Sequence, residues 1–185
     1  MHPSGMHDSV NLPPNLEPTS QQFAFLSHFT SPPLLPIIAH MIPPSPTNII
    51  DPTFARGTFA GEVAATATKP GFIKMSFANN YELHLVPSAT ITAEVGKRLI
   101  GTISSQARRI DVTQTGGRFV EPIYGRPRRI QGNIIAVHAK ENTIVINAGM
   151  PIHVTPIDPR QKASDFAVGQ FVGFDVPAGS TFDQH

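Results

Sequence analysis

Residues 61–75 read G-E-V-A-A-T-A-T-K-P-G-F-I-K-M, and residues 132–146 read G-N-I-I-A-V-H-A-K-E-N-T-I-V-I. Each is followed by a short run, Y-E-L-H-L-V-P at 81–87 and M-P-I-H-V-T-P at 150–156. A third pair comes next, A-E-V-G-K-R-L-I-G-T-I at 93–103 and A-V-G-Q-F-V-G-F-D-V at 167–176. Gly61 pairs with Gly132, Lys69 with Lys140, His84 with His153, Pro87 with Pro156 and Gly96 with Gly169, at offsets of 71, 71, 69, 69 and 73. Offsets this close leave room only for small loop insertions. The chain from Gly61 onward therefore reads as one unit written twice, and a repeat governs architecture before any other signal does.

Within each copy the pattern is that of short strands. Residues 72–77 (F-I-K-M-S-F) and 81–86 (Y-E-L-H-L-V) alternate apolar and polar positions, the period of a half-buried strand. Residues 143–147 and 151–155 do the same. Pro70-Gly71, Asn79-Asn80, Gly116-Gly117 and Ala148-Gly149 supply turns between them. Helical periodicity is confined to one or two turns within residues 159–166. The expected class is all-β. Copies of about 55–60 residues are small for an independent core, and closure into a barrel removes the exposed edges of such short strands.

The expected organisation is a Pro-rich flexible arm over residues 1–52, a first β-barrel repeat over 53–116 and a second over 117–185. The copies form either two barrels or one shared pseudo-two-fold barrel. The second copy ends near Gly179 with no evident final strand, and residues 118–124 (R-F-V-E-P-I-Y) are a candidate to supply it.

Residues 1–52 hold 11 of the 19 prolines, which remove backbone donors and forbid regular helix. The apolar run at 23–42 is broken at Pro32, Pro33 and Pro36, so the arm is expected to be extended or to dock on a partner or on the barrel. Met41 is an alternative translation start. The sequence has no stretch of about 18 apolar residues and its start lacks the regions of a secretion signal. The reading is a cytoplasmic protein with no membrane segment. No cysteine is present, so disulfides and thiolate metal sites are excluded.

The repeat resembles the cold-shock version of the OB-fold, a family whose motifs run G-x-V, K-G-F-G-F-I, V-F-V-H and G-Q-x-V-x-F-x-V-x-x-G. In the second copy the matching residues are G-N-I-I, Lys140, T-I-V-I, I-H-V and V-G-Q-F-V-G-F-D-V-P-A-G. In the first they are Lys69-Pro70-Gly71-Phe72-Ile73, Leu83-His84-Leu85 and residues 87–91, with residues 107–113 similar to the family's closing strand. The resemblance implies single-stranded RNA or DNA as partner, held by bases stacked on outward aromatic rings. Alternation puts Phe72 and Lys74 on one face of their strand and Ile73, Met75 and Phe77 on the other. Phe72 would stack a base and Lys74 would meet a phosphate, with His84 at the place of the family's V-F-V-H histidine. The equivalent positions of the second copy are Thr143 and Val145, which cannot stack, so the first copy is expected to dominate.

Charge adds a second hint. Residues 97–130 carry eight basic residues against Asp111 and Glu121, an excess of +6, whereas the rest of the chain carries −5. Arg98, Arg108, Arg109, Arg126, Arg128 and Arg129 are candidate backbone contacts, because guanidinium forks suit phosphate. The alternative is a solvated linker in a structural or protein-interaction module with no nucleic-acid role.

Other chemistries find little footing. His84 and His153 hold equivalent positions but lack further ligands at metal spacing, so no metal or cofactor is expected. Asp111-Val-Thr113-Gln-Thr-Gly116 resembles the D-x-S-x-x-G element of PilZ domains, which bind a cyclic dinucleotide. Their upstream R-x-x-x-R clamp is missing here, where Arg108 and Arg109 are adjacent, and the match is set aside. No Gly-rich phosphate loop, nucleophile elbow or His-Glu metal motif occurs, and no catalytic residue is assigned.

Overall fold

Strict alternation is what turns this sequence into sheet. In the strand Phe72–Ser76 the inner positions Ile73 and Met75 are buried and the outer ones are not, and Glu82–Pro87 buries Leu83 and Leu85 in the same way. The computed structural model describes residues 51–185. The Pro-rich arm expected over 1–52 and the alternative start at Met41 lie outside the described residues, apart from Asp51 and Pro52.

Among the described residues, twelve strands form one all-β sheet. The first group is β1 (Ala55–Val63), β2 (Phe72–Ser76), β3 (Glu82–Pro87), β4 (Arg98–Ala107) and β5 (Ile110–Val112). Two short strands follow, β6 (Phe119–Glu121) and β7 (Tyr124–Gly125). The second group is β8 (Arg129–His138), β9 (Thr143–Asn147), β10 (Pro151–Pro156), β11 (Phe171–Asp175) and β12 (Ser180–Gln184). The short helical turn expected within 159–166 is a 3-10 turn at Ala163–Asp165.

Strands β1, β2, β3, β12 and β4 pair in that order, and β4 pairs back to β1, which closes a five-strand barrel. All pairings in this ring are antiparallel except β3 with β12, which is parallel. The second group makes a similar circuit. β8 pairs with β9, β9 with β10, and β10 runs parallel to the C-terminal half of β4. Chain continuity through Arg108-Arg109 leads to β5, which pairs with β11, which returns to β8.

Two expectations are corrected here. The chain does have a final strand after Gly179, and it closes the five-strand barrel between β3 and β4. Residues 118–124 do not supply a closing strand: β6 extends alongside β8, and β7 runs beside β3.

Several backbone hydrogen bonds occur in matching pairs. Gly96 N donates to Phe59 O and Gly169 N to Ile134 O, both at 2.8 Å. Phe59 N donates to Lys97 O at 2.9 Å, and Ile134 N to Gln170 O at 2.8 Å. Ser88 N donates to Phe182 O at 2.8 Å, and Ile157 N to Ala107 O at 2.9 Å. The strand pairs β1–β2 and β8–β9 also slip register at matching places, between Phe59 and Gly61 and between Ile134 and Ala136. Counted from those slips, Gly57 and not Gly61 stands where Gly132 stands. A Cβ on Gly57 would press on Ser76 O, and one on Gly132 would collide with Asn147 O.

The core is a single cluster spanning both groups of strands, with Phe59, Met75, Leu85, Ile103, Ile134, Ile146, Val154 and Phe182 among its members. Gly96 and Gly169 make the turns into β4 and β11 at φ +89° and +91°, where a side chain would point into open space. The constraint at both is therefore backbone, and Gly96→Val and Gly169→Val should each cost about 1–2 kcal/mol, read by denaturant unfolding of each variant. Tolerance at one turn and not the other would mark the two turns as unlike.

Candidate nucleic-acid interface

Because β2 and β3 alternate, their outward residues form one patch on the five-strand barrel. Lys74 and His84 are direct cross-strand partners, and Phe72 is diagonal to His84. The Phe72 and His84 rings stack with centroids 4.9 Å apart and planes 16° apart. Tyr124, from β7 beside β3, meets His84 edge-on at 5.1 Å and 72°. Three rings from three neighbouring strands thus line up next to one lysine. Phe72 and His84 are half-buried, and Tyr124 is 60% exposed.

The floor beneath the rings carries a polar pair. His84 Nε2 and Glu82 Oε1 are 3.6 Å apart, beyond a hydrogen bond, and both atoms are sealed from solvent without another partner among the described residues. A groove of about 490 Å³ opens at Phe72, between the β1–β2 loop at Ala65 and Gly71 and the segment Ser88–Thr90 that follows β3. No family model, curated protein or solved structure matches this chain.

The corresponding patch on the second group differs. Thr143 is half-buried, but Val145, placed by alternation on the outward face, is fully buried. The segment leading into β1 lies against this side: His153 Nε2 donates to the Thr53 carbonyl at 3.2 Å, which fixes the proton on that nitrogen. Burial lowers the His153 pKa below the usual histidine value, partly countered by that bond. His138 lies parallel to His153 with centroids 6.2 Å apart. Among the described residues no group of three or more potential ligands could hold a metal ion. No helix among them is long and apolar enough to cross a membrane.

The arginines that composition grouped together are dispersed by the strands. Arg98 is exposed at the start of β4, in register with Thr58. Arg108 and Arg109 occupy the bend between β4 and β5. Arg126 Nη2 donates to Ala178 O at 2.9 Å and packs over Gly179. Arg128 is exposed, its backbone N–H closing the 121–128 loop onto Glu121 O at 2.7 Å. Arg129 begins β8 between Glu121 and Asp175. Arg108, Arg109 and Arg129 line one pocket, which contains none of the three rings.

Tyr124 is the residue that sequence reasoning missed. It sits in E-P-I-Y-G, with no periodic pattern to mark it as strand, and only the β3–β7 pairing brings it to His84.

Proposed function

We propose that the chain is a duplicated pair of OB-like barrels that exchange their last strands, and that it binds single-stranded RNA or DNA on the first barrel without catalysing a reaction. The paired hydrogen bonds support the duplication. Ser88 N on Phe182 O and Ile157 N on Ala107 O give Phe182 and Ala107 the same place. By that count the first copy sends its tail into the second barrel and the second copy returns the exchange. Ser105 and Ser180 are then equivalent, and they face each other across β4–β12 with their hydroxyls 2.6 Å apart and buried. A pseudo-two-fold axis between copies would pass through that bond.

The observation that carries the binding reading is the row Phe72, His84 and Tyr124 beside Lys74 on β2, β3 and β7. Rings accept any base face, and the ammonium suits the phosphate between bases. In OB-folds generally this strand face, with the loop before it, is the oligonucleotide surface, and the groove at Phe72 continues along that loop. The stacking role of Phe72 and the phosphate role of Lys74 are retained from the sequence, and Tyr124 joins them. Arg98, Arg126 and Arg128 are supporting contacts at most, because they do not share the patch.

The test is fluorescence anisotropy of the full chain with a labelled single-stranded RNA and its DNA counterpart, across a salt series. The expected result is an affinity that falls log-linearly with salt at about 0.7 per phosphate neutralised. Absence of binding at low salt would remove the reading. The competing one, a protein-interaction module, draws on Ile123, which is 59% exposed next to Tyr124, and would then be pursued by partner capture.

A further inference from the structure

We infer that the pocket containing Arg108, Arg109 and Arg129 is a second, separate binding site, and that its ligand is a phosphomonoester: a free nucleotide or the phosphorylated end of a strand. The pocket has a volume of about 510 Å³, within the range of small-molecule sites at roughly 300–1,000 Å³ and larger than a bare phosphate needs. Its back wall is three strands in register: Gln131 of β8 faces Gly173 of β11, which faces Asp111 of β5. Gly173 has no side chain, so the middle of the wall is recessed. A Cβ there would stand 3.3 Å from Gln131 Oε1 and 3.8 Å from the Thr113 methyl.

The polar groups around that recess are unevenly committed. Gln131 is 8% exposed, and its amide is oriented by donation from Nε2 to Gly117 O at 3.1 Å. That bond leaves Oε1 over Gly173 as an acceptor, fit for a hydroxyl or amino group of the ligand. Arg109 is held by Asp111, Nε to Oδ1 at 2.8 Å. Arg108 and Arg129 form no ion pair or side-chain hydrogen bond among the described residues, although Asp175 shares the wall. Three cations against two carboxylates leave the pocket with one net positive charge, and both uncommitted cations are guanidinium forks. Like charges repel, so two such forks at one mouth favour an anion with several acceptor oxygens. A phosphate group meets that requirement, and the remaining volume with its amide acceptor takes the organic part.

Arg108 and Arg109 come from the bend between β4 and β5, and Arg129 from the start of β8, so the site draws on both groups of strands. It uses none of Phe72, Lys74, His84 or Tyr124, and its test is independent of the proposal for that patch.

Calorimetric titration of the full chain with adenosine 5′-monophosphate, with adenosine and with inorganic phosphate tests the free source. Anisotropy of one RNA strand with a 5′-phosphate and with a 5′-hydroxyl tests the strand end. Saturable binding of the monophosphate but not of adenosine, weakened about tenfold by Arg108→Ala and again by Arg129→Ala and unchanged by Phe72→Ala, supports a free nucleotide. A preference for the 5′-phosphorylated strand, lost in the same two variants, supports a strand end. Both arginines are exposed, so melting temperatures should hold; if Arg129→Ala unfolds, Arg108→Lys, which keeps charge and loses the fork, carries the test. Neither ligand binding, or binding indifferent to these arginines, overturns the inference.

Discussion

Phe182→Ala should cost the fold about 3–5 kcal/mol, although the residue lies three positions before the last one. The ring is fully buried in the common core. It comes from β12, which is parallel to β3 at Thr181–Val86 and antiparallel to β4 at Phe182–Ile103, so it closes the five-strand ring between two strands that do not otherwise meet. Gly101 makes room for it: a Cβ on that glycine would be 2.7 Å from the Phe182 ring and would also run into Asp183 O. Truncation removes the transfer energy of the ring and leaves a cavity among side chains that belong to elements over 75 residues away, where collapse is hard. Thr181→Ala, exposed on the same strand, should stay within about 0.5 kcal/mol. Denaturant unfolding of the two variants decides it. A loss under about 1 kcal/mol at Phe182 would mean that the tail is a loose appendage and that β4 and β1 hold the barrel without it.

That strand was also the least legible part of the sequence. Ser180–Gln184 reads S-T-F-D-Q, one ring in a polar run, and nothing local indicates that its partner is a parallel strand about 95 residues earlier. Residues 72–77 and 81–86 were legible because each strand buries one face and exposes the other, which writes the fold into every second residue. Gly96 and Gly169 were legible as a pair because the same positive φ is demanded twice. Gly61 and Gly132 read as a pair because the β1–β2 connection, residues 64–71, is four residues longer than the β8–β9 connection, residues 139–142, which shifts the count upstream of it. Gly61, at φ +132°, follows the register slip in β1, and by position relative to that slip it is Gly57, four residues upstream, that matches Gly132.

The candidate site divides along the same line. Phe72, Lys74 and His84 could be assembled from alternation and cross-strand register alone. Tyr124 could not, because a two-residue strand has no period. Val145 reads as outward by alternation and is buried nonetheless, since alternation gives the face of a strand but not what lies on it. The arginines failed differently: composition counted their charge correctly, but a strand or a bend decides where each one points. Their division into a pocket trio and scattered singles was therefore open to the structure only.

Phe72→Ala should weaken single-strand binding about 5- to 150-fold, the range of about 1–3 kcal/mol for one base–aromatic stack, while leaving the salt slope unchanged. The ring is neutral, so its removal deletes a contact without altering the count of neutralised phosphates. Lys74→Ala should do the reverse, with a loss that is largest at low salt and shrinks as salt rises, because the slope is reduced by about 0.7. The two side chains stand one residue apart on the same face of β2, and general disruption of that strand would move both readouts together. Phe72 is only partly buried, unlike its neighbours Ile73 and Met75, so its loss should lower melting temperature little. Tyr124→Ala separates the patch from the strand entirely, because it lies on β7 and contacts the row only through His84. If Phe72→Ala and Tyr124→Ala both bind as tightly as the parent, the rings are not a stacking platform, and any nucleic-acid binding that remains runs through other residues.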